Sequence, residues 1–190
     1  FNSPLILEGG DLIRINVGNN ITRYDQNSEI VWNNGLGKEG PHHDADIYTD
    51  DSLIAISWQA FSSDRIPAEI AFDEVLTVLD AETGKVRKEA SIFKMLRRYE
   101  GIDVTEEAEE LLQDPKGYYY AGSIGDIFRP YHCNSVDVLE DDYGGEFQKG
   151  RVLVSLRNID TLALVDMEEK RIVWTWGEEV LDGQHNARIT

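Results

Sequence analysis

The sequence of 190 residues contains 18 Lys and Arg against 36 Asp and Glu, which gives a formal net charge of −18 at pH 7. A chain this acidic repels phosphate backbones, and this excludes non-specific binding to nucleic acid. Apolar residues make up 41% of the chain, enough for a packed core, but no apolar run approaches the roughly 20 residues of a membrane-spanning helix. The single cysteine, Cys133, excludes an internal disulfide framework and a cysteine-rich metal site.

Three segments repeat one pattern along the chain, a short apolar strand that ends in Asp, a polar turn and a second β-branched strand. They span residues 21–32, 76–86 and 162–174. Each segment is typical of a β-hairpin, because the polar turn separates two runs in which apolar and polar residues alternate. In the second segment the turn Asp80-Ala81-Glu82-Thr83-Gly84-Lys85 resembles the blade signature of quinone-dependent dehydrogenase propellers, which predicts a blade-docking role and no cofactor.

A second hairpin precedes each of the latter two segments. One pairs residues 44–48 with 53–58, and the other pairs 134–139 with 152–157. Two consecutive hairpins form a four-stranded antiparallel sheet, which is the blade of a β-propeller. Short strands at this spacing also suit a β-sandwich, but the internal repeat favours the propeller. We therefore predict an all-β chain, in which residues 1–190 form one partial β-propeller domain with about three to four blades.

The region 93–114 departs from the repeat. Residues 105–112 are strong helix formers behind a capping Thr105, and Pro115 ends the run. This predicts a helical insertion between two blades, either a lid over one face of the ring or a solvated excursion. Its acidity favours the excursion. The acidic loop 140–150 is likewise predicted to be a solvated hairpin loop, with Ca²⁺ binding as the alternative.

All four histidines lie where a blade is predicted to begin. The three tetrads are His42-His43-Asp44-Ala45, His132-Cys133-Asn134-Ser135 and Gln184-His185-Asn186-Ala187. Equal positions in successive blades lie on one ring around the propeller axis, so we expect these side chains to cluster at one mouth of the channel. Arg157 joins them because it ends the strand that pairs with the one beginning at His132, and Trp58 holds the matching place in the preceding blade.

Imidazoles, a guanidinium and an amide at one mouth suit a tetrahedral oxyanion such as sulfate or phosphate. Two other interpretations stay open. Each histidine can instead hold neighbouring blades together through a hydrogen bond to the backbone. A metal site is disfavoured because the tetrads lack a clear carboxylate partner for each imidazole. We therefore predict no metal.

The three tetrads, together with Val154-Ser155-Leu156-Arg157 and Ile172-Val173-Trp174-Thr175-Trp176-Gly177, resemble the arylsulfotransferase (aryl-sulfate sulfotransferase) β-propeller family. The resemblance covers most of the chain outside the predicted insertion. It implies a six-bladed propeller that moves a sulfuryl group from one phenol to another through a sulfurylated histidine, without a nucleotide donor or other cofactor. It also implies a phenolic sulfate and a phenol acceptor as partners, and an exported protein, periplasmic or extracellular.

The same resemblance assigns roles to the candidate residues. His185 is implied as the nucleophile, and His132, Asn134 and Arg157 as ligands of the sulfuryl oxygens. Either His42 or His43 is implied as the acid that assists the leaving group. Asn186, also placed in the substrate site, stands where the family has Asp, a carboxylate that would orient the imidazole.

The length bears on how much of such a ring the chain contains. A closed six-bladed ring at about 40 to 50 residues per blade needs well over about 250 residues. Together with a first residue, Phe1, that is not Met, this predicts a processed form or a fragment. The missing blades would come from a longer chain or from a homo-oligomer. A non-catalytic propeller that binds or scaffolds, and a hydrolase or lyase for another anionic substrate, are the alternative functions.

Overall fold

The computed structural model describes residues 4–37, 39–61, 70–99, 127–128, 131–177 and 179–190. Within these ranges the elements, in chain order, are β1 (Leu5–Ile6), β2 (Leu12–Asn16), β3 (Asn20–Tyr24), β4 (Ile30–Asn34), β5 (Pro41–Thr49), β6 (Ser52–Phe61), β7 (Ile70–Asp80), β8 (Val86–Ser91), α1 (Ile92–Leu96), β9 (Ile127–Phe128), β10 (Cys133–Val138), β11 (Val152–Leu156), β12 (Thr161–Asp166) and β13 (Arg171–Trp176). A 3₁₀ turn, Arg157–Ile159, follows β11.

The strands form three antiparallel sheets of four strands each, with the orders β1–β2–β3–β4, β5–β6–β7–β8 and β10–β11–β12–β13. The short β9 adds to β7 in parallel. The predicted all-β class and the paired hairpins of the second and third sheets are confirmed. The hairpin of β1 and β2 was not predicted, although β2 alternates as a half-buried strand should: Ile13 and Ile15 are buried and Arg14 is exposed.

The predicted helix at 105–112 lies outside the described residues. Helix α1 is the one helix in the described part of the chain, and it begins where the Ser91 hydroxyl accepts the N–H of Lys94 at 3.0 Å. No helix in these ranges has the length and apolar character needed to cross a membrane.

The sheet β5–β6–β7–β8, which we call the middle sheet, is apolar on both faces, and strand β6 shows why. Its side chains alternate between two cores. Leu53 and Ala55 pack with Ile13 and Trp32 of the first sheet, whereas Ile54 and Ile56 pack in a second core that contains residues of the third sheet, such as Val154. The middle sheet is therefore covered by a neighbouring sheet on each side, as a propeller blade is.

The turn between β7 and β8 docks onto the first sheet. Trp32 Nε1 donates to the carbonyl of Ala81 at 2.9 Å, and Asn34 Nδ2 donates to the carbonyl of Gly84 at 2.7 Å. Gly84 has φ of +66°, and a Cβ at this position would stand 2.6 Å from the Trp32 ring. Only glycine combines this backbone conformation with this close approach. The predicted docking role of the turn is confirmed.

The first strands of neighbouring sheets are held together by side chains that accept backbone N–H groups. Asp44 and Asp46 of β5 accept from Val136 and Val138 of β10, at 3.2 and 2.8 Å. The same contact recurs one step further along the chain. Ser135 and Asp137 of β10 accept from the N–H groups of Ala187 and Ile189, at 3.1 and 2.7 Å. Residues 187–189 therefore run beside β10 as β10 runs beside β5.

Substituting Gly84 tests the docking contact. Gly84→Ala introduces a methyl group that collides with the Trp32 ring, and it also forces an L-residue into a left-handed backbone conformation. The free energy of unfolding should therefore fall by about 2–4 kcal/mol. Gly145→Ala is the matched control, because Gly145 has φ of +57° and open space around its Cβ position, and should cost only about 1–2 kcal/mol. Urea unfolding of the full-length variants gives both values. Equal losses would contradict the proposed packing.

Candidate functional site

The structure brings the four histidines of the three tetrads together. The ring centroids of His42 and His43 lie 5.0 Å apart, those of His43 and His132 4.9 Å, and those of His132 and His185 5.8 Å. Each ring therefore contacts the next in one continuous row, although the residues span 143 positions of sequence from His42 to His185 (185 − 42 = 143). We call this the histidine row.

Burial decreases along the histidine row. His42 is 1% exposed and stacks on Trp58 with a centroid distance of 4.2 Å and an angle of 16° between the ring planes. His43 and His132 are half-buried, and His185 is exposed. A ligand approaching from solvent thus meets His185 first, while His42 lies at the protein end of the row.

The imidazole of His185 is oriented by the backbone. Its Nδ1 lies 3.0 Å from the carbonyl oxygen of Gly183. A carbonyl can only accept, so Nδ1 carries the hydrogen and donates it. In the neutral ring the lone pair is then on Nε2.

The segment that carries His185 is anchored to the third sheet. The Gln184 side-chain amide donates to the carbonyls of Leu156 and Thr161, at 3.3 and 3.2 Å. Asn134 Nδ2 donates to the Gln184 carbonyl at 2.9 Å. Asn134 is 7% exposed, and its Oδ1 has no hydrogen-bond partner among the described residues. In this structure its amide thus contacts the backbone beside His185.

Arg157 lies where the hairpin argument predicts. Its N–H donates to the carbonyl of His132 at 3.3 Å, which places both residues at one end of the third sheet. The guanidinium donates to Asn158 Oδ1 at 3.0 Å, and its Nη2 stands 3.4 Å from the position that a Cβ on Gly183 would take. The positive charge therefore lies against the residue whose carbonyl orients His185.

Glu74 is a residue of this site that the sequence reasoning missed. It is 2% exposed, its Oε1 lies 3.7 Å from His42 Nε2, and its Oε2 accepts the N–H of Cys133. The available signal was the pair Asp73-Glu74 within the otherwise apolar strand β7, because acidic residues are rarely buried without a partner. Burial first, and then the negative charges of Glu74 and Asp44, raise the pKa of the Cys133 thiol well above its ordinary value. This disfavours a nucleophilic thiolate.

Comparison with known proteins identifies the family of this chain. The profile of the family described as Arylsulfotransferase (ASST) matches residues 3–190. The chain belongs to the arylsulfotransferase family. No curated protein matches the sequence. Among solved structures, the C-terminal WD40 domain of Sif2 aligns with 95% of this chain at 10% sequence identity. The alignment covers 46% of the Sif2 chain, and its TM-score of 0.33 is too low to support a structural argument.

Three residues of the arylsulfotransferase tetrads adopt left-handed backbone conformations. The φ angles are +55° at His43, +48° at His132 and +57° at Asn186, which is exposed. Such angles are uncommon outside glycine and concentrate at functional sites. The pairing of β5 with β6 shifts register between His42 and Ala45, which includes His43, and the pairing of β10 with β11 shifts between Cys133 and Ser135, directly after His132. Such irregularities redirect side chains out of the regular alternation.

Two carboxylates of the acidic loop have partners within the protein. In the acidic loop 140–150, Asp142 accepts the N–H of Lys149 at 2.8 Å, and Glu146 pairs with Arg151 at 2.6 Å. Within the described ranges no group of three His, Cys, Asp or Glu side chains is arranged to hold a metal ion.

Arg188 joins the first strands of two sheets beside the site. Its Nη2 lies 2.8 Å from Asp44 Oδ2 and its Nε 3.6 Å from Asp137 Oδ1. Its Nη1 donates to the carbonyl of Val136 at 2.8 Å. Burial raises the pKa of Asp137, and the charges of Asp46 and Asp44 add to this, whereas the Ile189 N–H and Arg188 oppose it.

Removing Arg188 should destabilise the fold in a pH-dependent way. We expect Arg188→Gln to lower the free energy of unfolding at pH 7 by about 1–2 kcal/mol, less than for a fully buried pair because the Arg188 side chain is 34% exposed. A carboxyl group with a raised pKa binds its proton more readily in the folded protein than in the unfolded one. Protonation at low pH therefore removes the destabilising effect of its buried negative charge. The loss should therefore shrink as the pH falls through the range in which Asp137 is protonated.

Urea unfolding at pH 7 and at pH 5 measures this difference. Arg171→Gln is the control, since Arg171 pairs with Glu169 on the surface and such pairs contribute about 0–1 kcal/mol. A loss for Arg188→Gln that is no larger than the control, or that grows at low pH, would contradict the role given to Arg188.

Proposed function

We propose that this member of the arylsulfotransferase family transfers a sulfuryl group from an aryl sulfate to a phenolic acceptor, with a sulfurylated His185 as the intermediate. The observation that carries the proposal is the orientation of His185. Its ring is exposed, its Nδ1 donates to the Gly183 carbonyl, and the lone pair of the neutral ring is on Nε2. An imidazole held in one tautomer at the solvent end of the histidine row is suited to nucleophilic attack.

In the first half-reaction His185 Nε2 attacks the sulfur of the donor. The N–S bond forms while the bond between sulfur and the aryl oxygen breaks, and the electron pair of that bond leaves on the phenolate. The phenolate takes a proton from a neighbouring imidazolium. In the second half-reaction the acceptor phenol returns a proton to that imidazole and its oxygen attacks the sulfur. The new O–S bond forms while the N–S bond breaks, and the electron pair of the N–S bond returns to Nε2 of His185.

The other residues stabilise charge in these steps. Arg157 and His132 are the proposed donors to the sulfuryl oxygens, because the guanidinium lies against Gly183 and the His132 ring contacts that of His185. Asn134 supports them by holding the Gln184 carbonyl. Of the two histidines of the first tetrad, we assign the proton donor to His43, since it is half-buried and contacts His132, whereas His42 is enclosed.

The Gly183 carbonyl also accounts for the departure at Asn186. A carboxylate beside the nucleophile would accept a hydrogen bond from Nδ1–H and fix the ring. Here the Gly183 carbonyl accepts that hydrogen bond, and the exposed Asn186 side chain is not required for it. Asn186 is left as a contact for the bound substrate.

The rest of the proposal concerns the whole protein. We propose a six-bladed ring, of which the three described sheets are blades and residues 187–189 begin the next, with the remainder supplied by a longer chain or by a second copy. An exported location and a reaction without a cofactor complete the proposal. The non-catalytic and hydrolytic alternatives are outcomes of the experiments below.

His185→Asn should abolish transfer. Without Nε2 as nucleophile, full-length variant protein should release no nitrophenolate from p-nitrophenyl sulfate above the uncatalysed rate, and mass spectrometry should find no sulfuryl group on the peptide containing residue 185. Release by wild type that depends on a phenol acceptor supports transfer, whereas release into water alone supports the hydrolase alternative. Release that persists in the variant would rule out His185 as nucleophile. A folded but inactive wild type would rule out the proposed function.

Arg157→Met should slow the reaction without unfolding the protein. Loss of one preorganised charge on the sulfuryl oxygens should lower kcat by about 100- to 1,000-fold. Arg14→Met is the matched control, because Arg14 is exposed on β2 of the first sheet, and its kcat should match that of wild type. Circular dichroism checks that both variants are folded. Equal kcat values for the two variants would contradict the role of Arg157.

A further inference from the structure

Glu74 is a buried carboxylate to which the transfer reaction, as described so far, gives no role. It lies on β7, the third strand of its sheet, yet its two oxygens reach the first strands of two sheets. Oε1 lies 3.7 Å from Nε2 of His42 on β5, and Oε2 accepts the N–H of Cys133 on β10. It therefore joins the first tetrad to the second, at residues next to His43 and next to His132.

The burial of Glu74 favours a protonated His42 beside it. Moving a carboxylate from water into a site that is 2% exposed is costly unless an opposite charge or hydrogen bonds compensate for the loss of water. The Cys133 N–H supplies one hydrogen bond. The imidazole of His42 faces Glu74 at 3.7 Å, and a protonated ring at this distance contributes an opposite charge.

The histidine row connects the Glu74–His42 pair to the side of the site where the substrate is proposed to bind. The His42 ring is held from one side by stacking on Trp58 and meets His43 edge to face, at an angle of 77°. His43 in turn contacts His132. A negative charge behind His42 therefore stabilises positive charge in the half of the row from which the departing phenolate takes its proton.

We propose that Glu74 is a positioning residue of the arylsulfotransferase site, whose carboxylate acts through His42 to keep the His42–His43 pair protonated and aligned for proton donation to the leaving phenolate. This inference rests on the proposed function. It adds an acidic residue from a third strand to the three tetrads. Glu74 touches neither substrate nor the reacting atoms, and its contribution depends on the leaving group.

The basicity of the leaving group is the readout that separates this role from a structural one. Nitrophenolate is a weakly basic leaving group and departs without much help, whereas unsubstituted phenolate needs a proton. Glu74→Gln keeps the shape of the side chain and an oxygen for the Cys133 N–H but removes the charge. It should slow transfer from phenyl sulfate by about 100-fold or more and transfer from p-nitrophenyl sulfate only a few-fold, in keeping with the size of general-acid effects.

Asp73→Asn is the matched control. Asp73 precedes Glu74 on the same strand and is also buried, but it accepts from the Ser91 hydroxyl and from the Phe93 N–H at 3.0 Å, on the other side of β7. The control variant should slow both donors by the same factor, if at all. If Glu74→Gln does not accumulate as folded protein, His42→Asn carries the test, because it removes the imidazole through which Glu74 acts and should show the same preference for the weakly basic leaving group.

The outcomes distinguish the two proposals. An active wild type with equal losses on the two donors in the folded test variant overturns the role of Glu74 and leaves the transferase function intact. A wild type inactive on both donors overturns the transferase function itself. Greater loss on phenyl sulfate than on p-nitrophenyl sulfate, in Glu74→Gln but not in Asp73→Asn, supports the role of Glu74.

Discussion

The arrangement of the sheets depends on side chains that form hydrogen bonds to the backbone between strands of different sheets. Strands β5 and β10 belong to different sheets, so their backbones do not pair, and Asp44 and Asp46 instead accept the N–H groups that face them. Ser135 and Asp137 repeat the contact on the next segment. Buried N–H groups need acceptors, and these side chains supply them while fixing how the sheets are staggered. The stagger brings the three tetrads, and with them the four histidines, into contact.

The net charge of the chain is opposite in sign to the charges proposed to hold the substrate. The chain carries a formal charge of −18, yet the residues proposed to meet the sulfuryl group are imidazoles and one guanidinium. An acidic surface repels anions, so under the proposed function the acidity restricts where an anionic substrate can bind. Glu74 would use its negative charge differently. In the role proposed for it, Glu74 favours the cationic state of the His42–His43 pair from the protein end of the histidine row.

Much of the architecture was predictable because its signals are local. Alternation of apolar and polar residues predicted the hairpins, and the repeat predicted that all four histidines lie at one end of the sheets. The pairing of strands within one hairpin predicted Arg157 beside them. The first hairpin was missed because its strand β1 has only two residues, Leu5–Ile6, too few to show alternation. Glu74 and Arg188 were missed for another reason. Glu74 meets Cys133 across 59 positions and Arg188 meets Asp44 across 144, and no periodicity reports such contacts.

The left-handed residues at the tetrads set limits on how this protein can be stabilised. His43 and His132 hold backbone conformations that glycine adopts without strain, so substitution by glycine would relieve a local cost in the folded state. The same substitution would remove an imidazole from the histidine row. Selection for thermal tolerance alone would therefore favour sequences that lose the two imidazoles used in the proposed transfer. Stabilising substitutions are better sought in the outer strands, away from the histidine row.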